Sequence, residues 1–266
     1  MPETKIPSTD VLLIERRGDV EWVTLNRPDR FNTLTEQMAD ELRAYFHAQC
    51  LKPTCRVIVL QGGGKHFCAG FDLVNVDDIL GSNAAMLRTQ KSYSDIILMM
   101  RRCPQPIIAL LQGVATGAGF AFALASDVRL ATADVRMNVA MARVGLTGCD
   151  VGISYFLPRL VGLSKASEMM MTGRFIDAKK AMEIGLLSEV VEDLAATGAK
   201  MAEDMLRLSP IGLRLTKEGL NMAVDAASLE LALLVEDRGQ ALAMGMTMKE
   251  GMTAFLEKRA PRYTDD

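Results

Sequence analysis

A chain of 266 residues with 49% hydrophobic content is long enough to bury one large core, alone or with an appendage, and its composition excludes a disordered polymer. The formal net charge of −3, with no long Lys or Arg run, leaves no basic field for nucleic acid. Five cysteines without a Cys-x-x-Cys pair and only two histidines argue against a disulfide framework and against a zinc or other metal centre.

In chain order, Met1 to Asp10 carries no charged-then-apolar leader, and no later stretch is apolar for long enough to span a bilayer. This predicts a soluble, cytoplasmic protein with no membrane partner. Val11 to Arg16 and Val20 to Leu25 read as strands joined at Gly18 and Asp19 in a hairpin, and Pro28 and Asp29 break the run. Thr33 with Glu36 forms a capping-box pattern before a helix whose Met38, Leu42, Tyr45 and Phe46 share one face. Arg56 to Gln61 returns to strand. The stretch from Asn83 to Cys103 is helical by periodicity and ends before Pro104 and Pro106. Ile107 to Leu111 is a further apolar strand, followed by a small-residue turn, a short helix, and strands at Asp127 to Ala131 and Arg136 to Val139.

The recurring order strand, strand, helix predicts a layered α/β fold, in which periodicity alone does not separate a spiral of ββα units from a doubly wound sheet. From Ser164 the chain reads as helical, with Ser164 and Asp177 as N-caps and Gly173 and Gly185 as stops. Leu208, Ser209 and Pro210 mark a break that divides a core, residues 1–205, from a C-terminal helical region, residues 206–266. Leu229, Leu231, Leu233, Leu234, Leu242, Met244 and Met246 give that region more apolar surface than a solvated helix needs.

Two small-residue runs follow β-branched strands. Val57 to Leu60 leads through Gly62, Gly63 and Gly64 to Cys68, Ala69, Gly70, Phe71 and Asp72, and Ile107 to Leu111 leads to Gly113 through Gly119. A buried strand ending in Ala and Gly lets a ligand approach the main chain, so two such turns could aim two N–H groups at one carbonyl oxygen. The triple glycine lacks the Gly-Lys-Ser/Thr ending of a phosphate loop, and Phe122 stands where a dinucleotide fingerprint needs its third glycine. His66 reads as a solvent-facing loop histidine, and Asp72 and Asp127 as structural carboxylates.

With Leu25 to Pro28, Ala69 to Asp72, Gly117 to Gly119, Leu157 to Arg159, Thr172 to Arg174 and Phe255 to Arg259 in this order and spacing, the chain resembles the crotonase superfamily, the enoyl-CoA hydratases and isomerases. The resemblance implies a spiral of ββα repeats followed by a helical C-terminal trimerisation region, assembled as a homotrimer or a dimer of trimers. It implies an acyl-CoA substrate, coenzyme A being part of that substrate and no separate cofactor being needed. The backbone N–H groups of Phe71 and Ala118 match the oxyanion hole. Arg27 and the Lys65 to Ala69 segment, with Phe67, Cys68 and Ala69, match the positions that hold the pantetheine and adenine, Gly70, Gly117 and Met141 match further substrate-binding positions, and Phe255 and Lys258 match a pattern that reaches the nucleotide of a neighbouring subunit.

The two glutamates with which hydratases of the superfamily move protons fall here on Ala121 and Met141, neither of which transfers a proton. Asp150, within Gly145 to Arg159, matches the aspartate of several family isomerases. A second reading makes Asp150 the N-cap of a helix near Ile153 to Leu160. The expected activity is therefore on 2- or 3-enoyl-CoA thioesters, in fatty-acid or related acyl-CoA catabolism, with isomerase chemistry favoured. The alternative is a non-catalytic acyl-CoA-binding protein.

Overall fold

The computed structural model describes residues 9–74 and 82–264. Residues 1–8 of the N-terminal segment, in which no leader is expected, lie outside the described residues. The strands are β1 (Leu12–Arg17), β2 (Val20–Leu25), β3 (Val57–Gly62), β4 (Ile107–Leu111), β5 (Val114–Thr116), β6 (Val128–Ala131), β7 (Arg136–Asn138), β8 (Ile176–Asp177) and β9 (Glu189–Val190). The helices are α1 (Glu36–Leu51), α2 (Asn83–Arg102), α3 (Ala118–Ala125), α4 (Ile153–Val161), α5 (Leu163–Thr172), α6 (Ala178–Glu183), α7 (Leu194–Leu206), α8 (Pro210–Ala223), α9 (Leu229–Met246) and α10 (Met248–Leu256).

A six-stranded sheet runs β1-β2-β3-β4-β6-β9, with the β1–β2 hairpin antiparallel and every later pair parallel. Parallel strands covered on both faces need apolar side chains throughout, which is why β3 and β4 are continuous Val, Ile and Leu runs. Ile58 and Leu60 point into the larger core, whereas Val57 and Val59 meet Trp22, Ile108, Leu110 and Ala202 on the opposite side. There α7 packs so closely that a Cβ on Gly198 would lie 2.9 Å from Leu110 Cδ2.

A second layer explains where the turns come from. The bridges Leu34 to Phe71 and Cys68 to Ala115 continue into the pairs β5–β7 and β7–β8. Each pass of the chain thus supplies one strand to the large sheet and then one extended segment to this second row, which is the repeat expected of the spiral. The connection between the layers must be tight, and small residues make it so. A Cβ on Gly62 would stand 2.2 Å from the His66 carbonyl oxygen, and one on Gly119 2.2 Å from that of Cys68.

Local details correct three expectations. The cap of α1 is Thr35, which accepts from Met38 N–H, because Thr33 is instead bonded to Arg27 and Asp72. Helix α5 starts after Gly162 with no side-chain cap, so Ser164 lies inside its first turn. His66 is half-buried rather than solvent-facing: its Nδ1 accepts the Val114 N–H at 3.3 Å and its ring stacks on Phe31 at 4.5 Å. Asp177 does cap α6, and Gly173 ends α5 in the left-handed conformation. Among the described residues no helix is long and apolar enough to cross a membrane.

Candidate active site

The two small-residue turns lie against each other. A Cβ on Gly70 would stand 3.2 Å from the Thr116 carbonyl oxygen and 3.4 Å from the Ala118 nitrogen, and one on Gly117 would stand 3.4 Å from Gly70 Cα. Both glycines have positive φ, +98° at Gly70 and +56° at Gly117, so an L side chain at either is strained, and at Gly70 it would also be crowded.

The directions of the N–H groups follow from the bonding around them. Leu34 N–H donates to the Gly70 carbonyl and Asp72 N–H to the Leu34 carbonyl, so the N–H of the intervening Phe71 faces away from Leu34. Ala118 is the first residue of α3, where no intrahelical acceptor exists. Among the described residues neither N–H has an acceptor. All eight residues of α3 are buried, so the positive end of its dipole at Ala118 is poorly screened by solvent.

Helix α2 brings the remaining parts together. The Tyr93 ring meets Phe71 at 4.6 Å between centroids. One turn earlier on the same face, Gln90 Nε2 donates to Asp150 Oδ1, and two turns after Gln90 a Cβ on Gly152 would meet Ile97 Cγ2 at 3.2 Å. The segment carrying Asp150 therefore runs along α2 beside Phe71. Asp150 does not cap α4: the N-cap is Gly152 with no side-chain bond, and it is the Asp150 carbonyl that accepts the Ile153 N–H, at 2.8 Å. Burial raises the Asp150 pKa, opposed by hydrogen bonds from Gln90 and the Val151 N–H. Among the described carboxylates that shift, it alone shifts upward.

Met141 is buried in the turn Ala140–Arg143, with its Sδ 3.8 Å from where a Gly117 Cβ would be. Ala121 is buried one turn into α3, its N–H bonded to the Gly117 carbonyl. Phe67 and Cys68 have wholly buried side chains, and their N–H groups already donate to Gln112 and Val114 carbonyls, which leaves them as framework beneath the turn. Burial pushes the Cys68 thiol up to about 12, well away from thiolate chemistry. Ala69 is pinned from both sides, by the Phe31 carbonyl and the Thr116 hydroxyl.

Arg27 NH1 is committed to Asp72, at 2.8 Å, and to Thr33, tying the loop after β2 to the first turn. Burial pushes the Asp72 pKa up, but the Val74 N–H, Arg27 and Thr33 outweigh it and hold the group below its ordinary value. Asp127, bonded to Arg101, Lys217 and the Ile107 N–H, is a structural anchor. Lys65 is exposed on the loop before the turn, and Phe255 and Lys258 lie exposed at the end of α10, apart from the contacts just described.

Residues 15–266 match the description enoyl-CoA hydratase/isomerase. The chain is a member of that family. It is 37% identical over 266 residues to the probable enoyl-CoA hydratase EchA12 of Mycobacterium tuberculosis, covering 96% of this chain and 93% of the relative. It is 33% identical over 255 residues to the 1,2-epoxyphenylacetyl-CoA isomerase of Escherichia coli, covering 92% of this chain and 95% of that one. A crystal structure of an enoyl-CoA hydratase from Bacillus anthracis superposes with a TM-score of 0.90 at 29% identity, covering 96% of this chain and all of that one. The positions that the sequence resemblance singled out are the apolar Ala121 and Met141, both buried beside the turns, and the carboxylate at Asp150. Gln90 and Tyr93 carry no sequence motif. The helical spacing that sets Gln90, Tyr93 and Ile97 on one face is legible, but what that face meets is not.

Proposed function

We propose that this family member shifts the double bond of an enoyl-CoA thioester, with Asp150 as the proton carrier and the Phe71 and Ala118 N–H groups as the oxyanion hole. The observation that carries the reading is a single carboxylate, raised by burial, held by α2 beside the turn that supplies Phe71. The thioester oxygen of a 3-enoyl-CoA accepts the two N–H donors. Asp150 takes a proton from C2, the electron pair moves into the thioester as a dienolate whose oxygen carries the charge, and Asp150 returns the proton at C4. One acid/base suffices because the same proton leaves and returns. Each oxyanion-hole donor lowers the barrier by about 3 kcal/mol, so no metal or further cofactor is invoked.

Hydration needs a group that holds and deprotonates water, and Ala121 and Met141 offer none. Arg27, Lys65 and Ala69 border the pantetheine and adenine and Gly70 and Gly117 the acyl-CoA in this reading, and Phe255 and Lys258 meet the nucleotide of a neighbouring copy within a homotrimer or a dimer of trimers.

Asp150→Asn keeps size while abolishing the base. Turnover of 3-enoyl-CoA is expected to fall about a hundredfold or more, with acyl-CoA affinity unchanged. Unchanged turnover would overturn the role of Asp150. Tight binding by the wild-type protein without turnover of either 2-enoyl or 3-enoyl thioesters would make it an acyl-CoA-binding protein instead.

A further inference from the structure

Both hydrogen bonds that reach the Asp150 carboxylate end on the same oxygen. Gln90 Nε2 donates to Oδ1, the Val151 N–H donates to Oδ1 at 2.8 Å, and no described residue donates to Oδ2. Val151 accomplishes this with φ at +36°, a left-handed conformation that β-branched residues avoid, while its side chain stays buried. The strain therefore sits on the residue whose N–H anchors the carboxylate.

We infer that Gln90 is a positioning residue: together with the Val151 amide it fixes Oδ1 of Asp150 and leaves Oδ2 as the oxygen that carries the proton between C2 and C4. The inference rests on Asp150 being the proton carrier. A carboxylate free to rotate would present either oxygen at varying distance, and proton transfer loses rate steeply with misplacement. A neutral amide suits the task better than a cation. An arginine at this place would hold the carboxylate ionised, whereas two neutral donors only partly offset the burial that raises its pKa. The titratable neighbours do not replace Gln90. Arg88, Lys91 and Tyr93 on α2 and Cys149 beside Asp150 contribute no charge interaction to it, and Tyr155 on α4 is bonded to Asp225.

The test compares Gln90→Leu, Asp150→Asn and the double variant with 3-enoyl-CoA across a pH range. Gln90 is exposed, so Gln90→Leu should fold with an unchanged melting temperature. Its kcat is expected to fall about tenfold with KM nearly constant, and the acid limb of kcat should move up by about one pH unit, the scale of a lost hydrogen bond to an ionised group. The double variant should be no slower than Asp150→Asn alone, since Gln90 acts only through that carboxylate. A wild-type pH profile in Gln90→Leu, or a further loss in the double variant, would overturn the inference while leaving Asp150 as the base. An active Asp150→Asn would instead remove the reading on which it rests.

Discussion

Asp150 and Asp72 lie on segments that both meet α2, through Gln90 and through Tyr93 against Phe71, yet their surroundings push them in opposite directions. Asp72 is matched by a guanidinium, a hydroxyl and a backbone N–H, which together overcome its burial. Asp150 has two neutral donors on one oxygen, and burial prevails. The consequence for stability has opposite sign in the two cases. A carboxyl raised in the folded state favours folding while protonated and loses that contribution as pH rises through its folded pKa. Asp150→Asn should therefore melt no lower than wild type at pH 7 and should gain on it relative to pH 4, in contrast to its loss of turnover. Paired thermal melts at the two pH values check this. A variant less stable at pH 7 than at pH 4, relative to wild type, would contradict the upward shift. Asp72→Asn should show the reverse, its deficit growing as pH rises from the lowered folded pKa to the ordinary carboxylate range, staying constant above it, and shrinking as the pH is taken below that range.

Helix α3 is the element on which the proposed oxyanion hole depends, and its position in the chain makes a clean experiment possible. Proline is tolerated at the first residue of a helix, where the N–H has no intrahelical partner, and the preceding Gly117 is permissive. Ala118→Pro is expected to fold with a far-ultraviolet spectrum like wild type and to lose turnover about a hundredfold or more, since only the donor has gone. Full activity in the folded variant would exclude Ala118 as a donor.

Packing of the same helix depends on Gly119. A Cβ there would lie 2.2 Å from the Cys68 carbonyl oxygen and 2.7 Å from its Cβ, so the helix and the first turn would have to separate. Gly119→Ala should cost about 3 kcal/mol in denaturant unfolding. Gly198→Ala, whose Cβ meets the movable end of Leu110 instead, should cost less.

The C-terminal helices hold the molecule together in two ways. Lys217 of α8 is buried, donates to the Met100 and Gln105 carbonyls and pairs with Asp127 at 2.9 Å, which fastens the helix to the start of β4. By contrast α9 has no buried residue, and Leu229, Leu231, Leu242, Met244 and Met246 are each more than half exposed in the single chain. Exposed apolar surface on that scale marks an association site. Light scattering is expected to give three or six chains per particle. A stable monomer would count against both the assembly and a nucleotide site completed by Phe255 and Lys258.

The strands β1 to β4, β6 and β7, most helices and the two small-residue turns could be read directly from the sequence, because each reports a local constraint, whereas β5 lay inside a turn and the two-residue strands β8 and β9 lay in the stretch read as helical. Continuous Val, Ile and Leu runs belong to strands covered on both faces, and the glycines at 70, 117 and 119 mark places where a side chain has no room or no allowed φ. That Ala121 and Met141 stand at the positions of the hydratase glutamates came from the resemblance and not from any local constraint. What lay beyond the sequence was contact between distant segments. Tyr93 and Gln90 look like ordinary face residues of α2 until the fold sets Phe71 against one and Asp150 against the other. Thr33 carries the pattern of a cap, but Arg27 and Asp72 claim its hydroxyl and Thr35 takes the role. Asp150 reads equally well as a cap or a base, and only the tertiary structure turns its side chain to α2 and leaves the start of α4 to Gly152. Periodicity and turn chemistry are properties of neighbouring residues. The partner of a side chain sixty residues away is a property of packing, decided by which surfaces the whole core brings together.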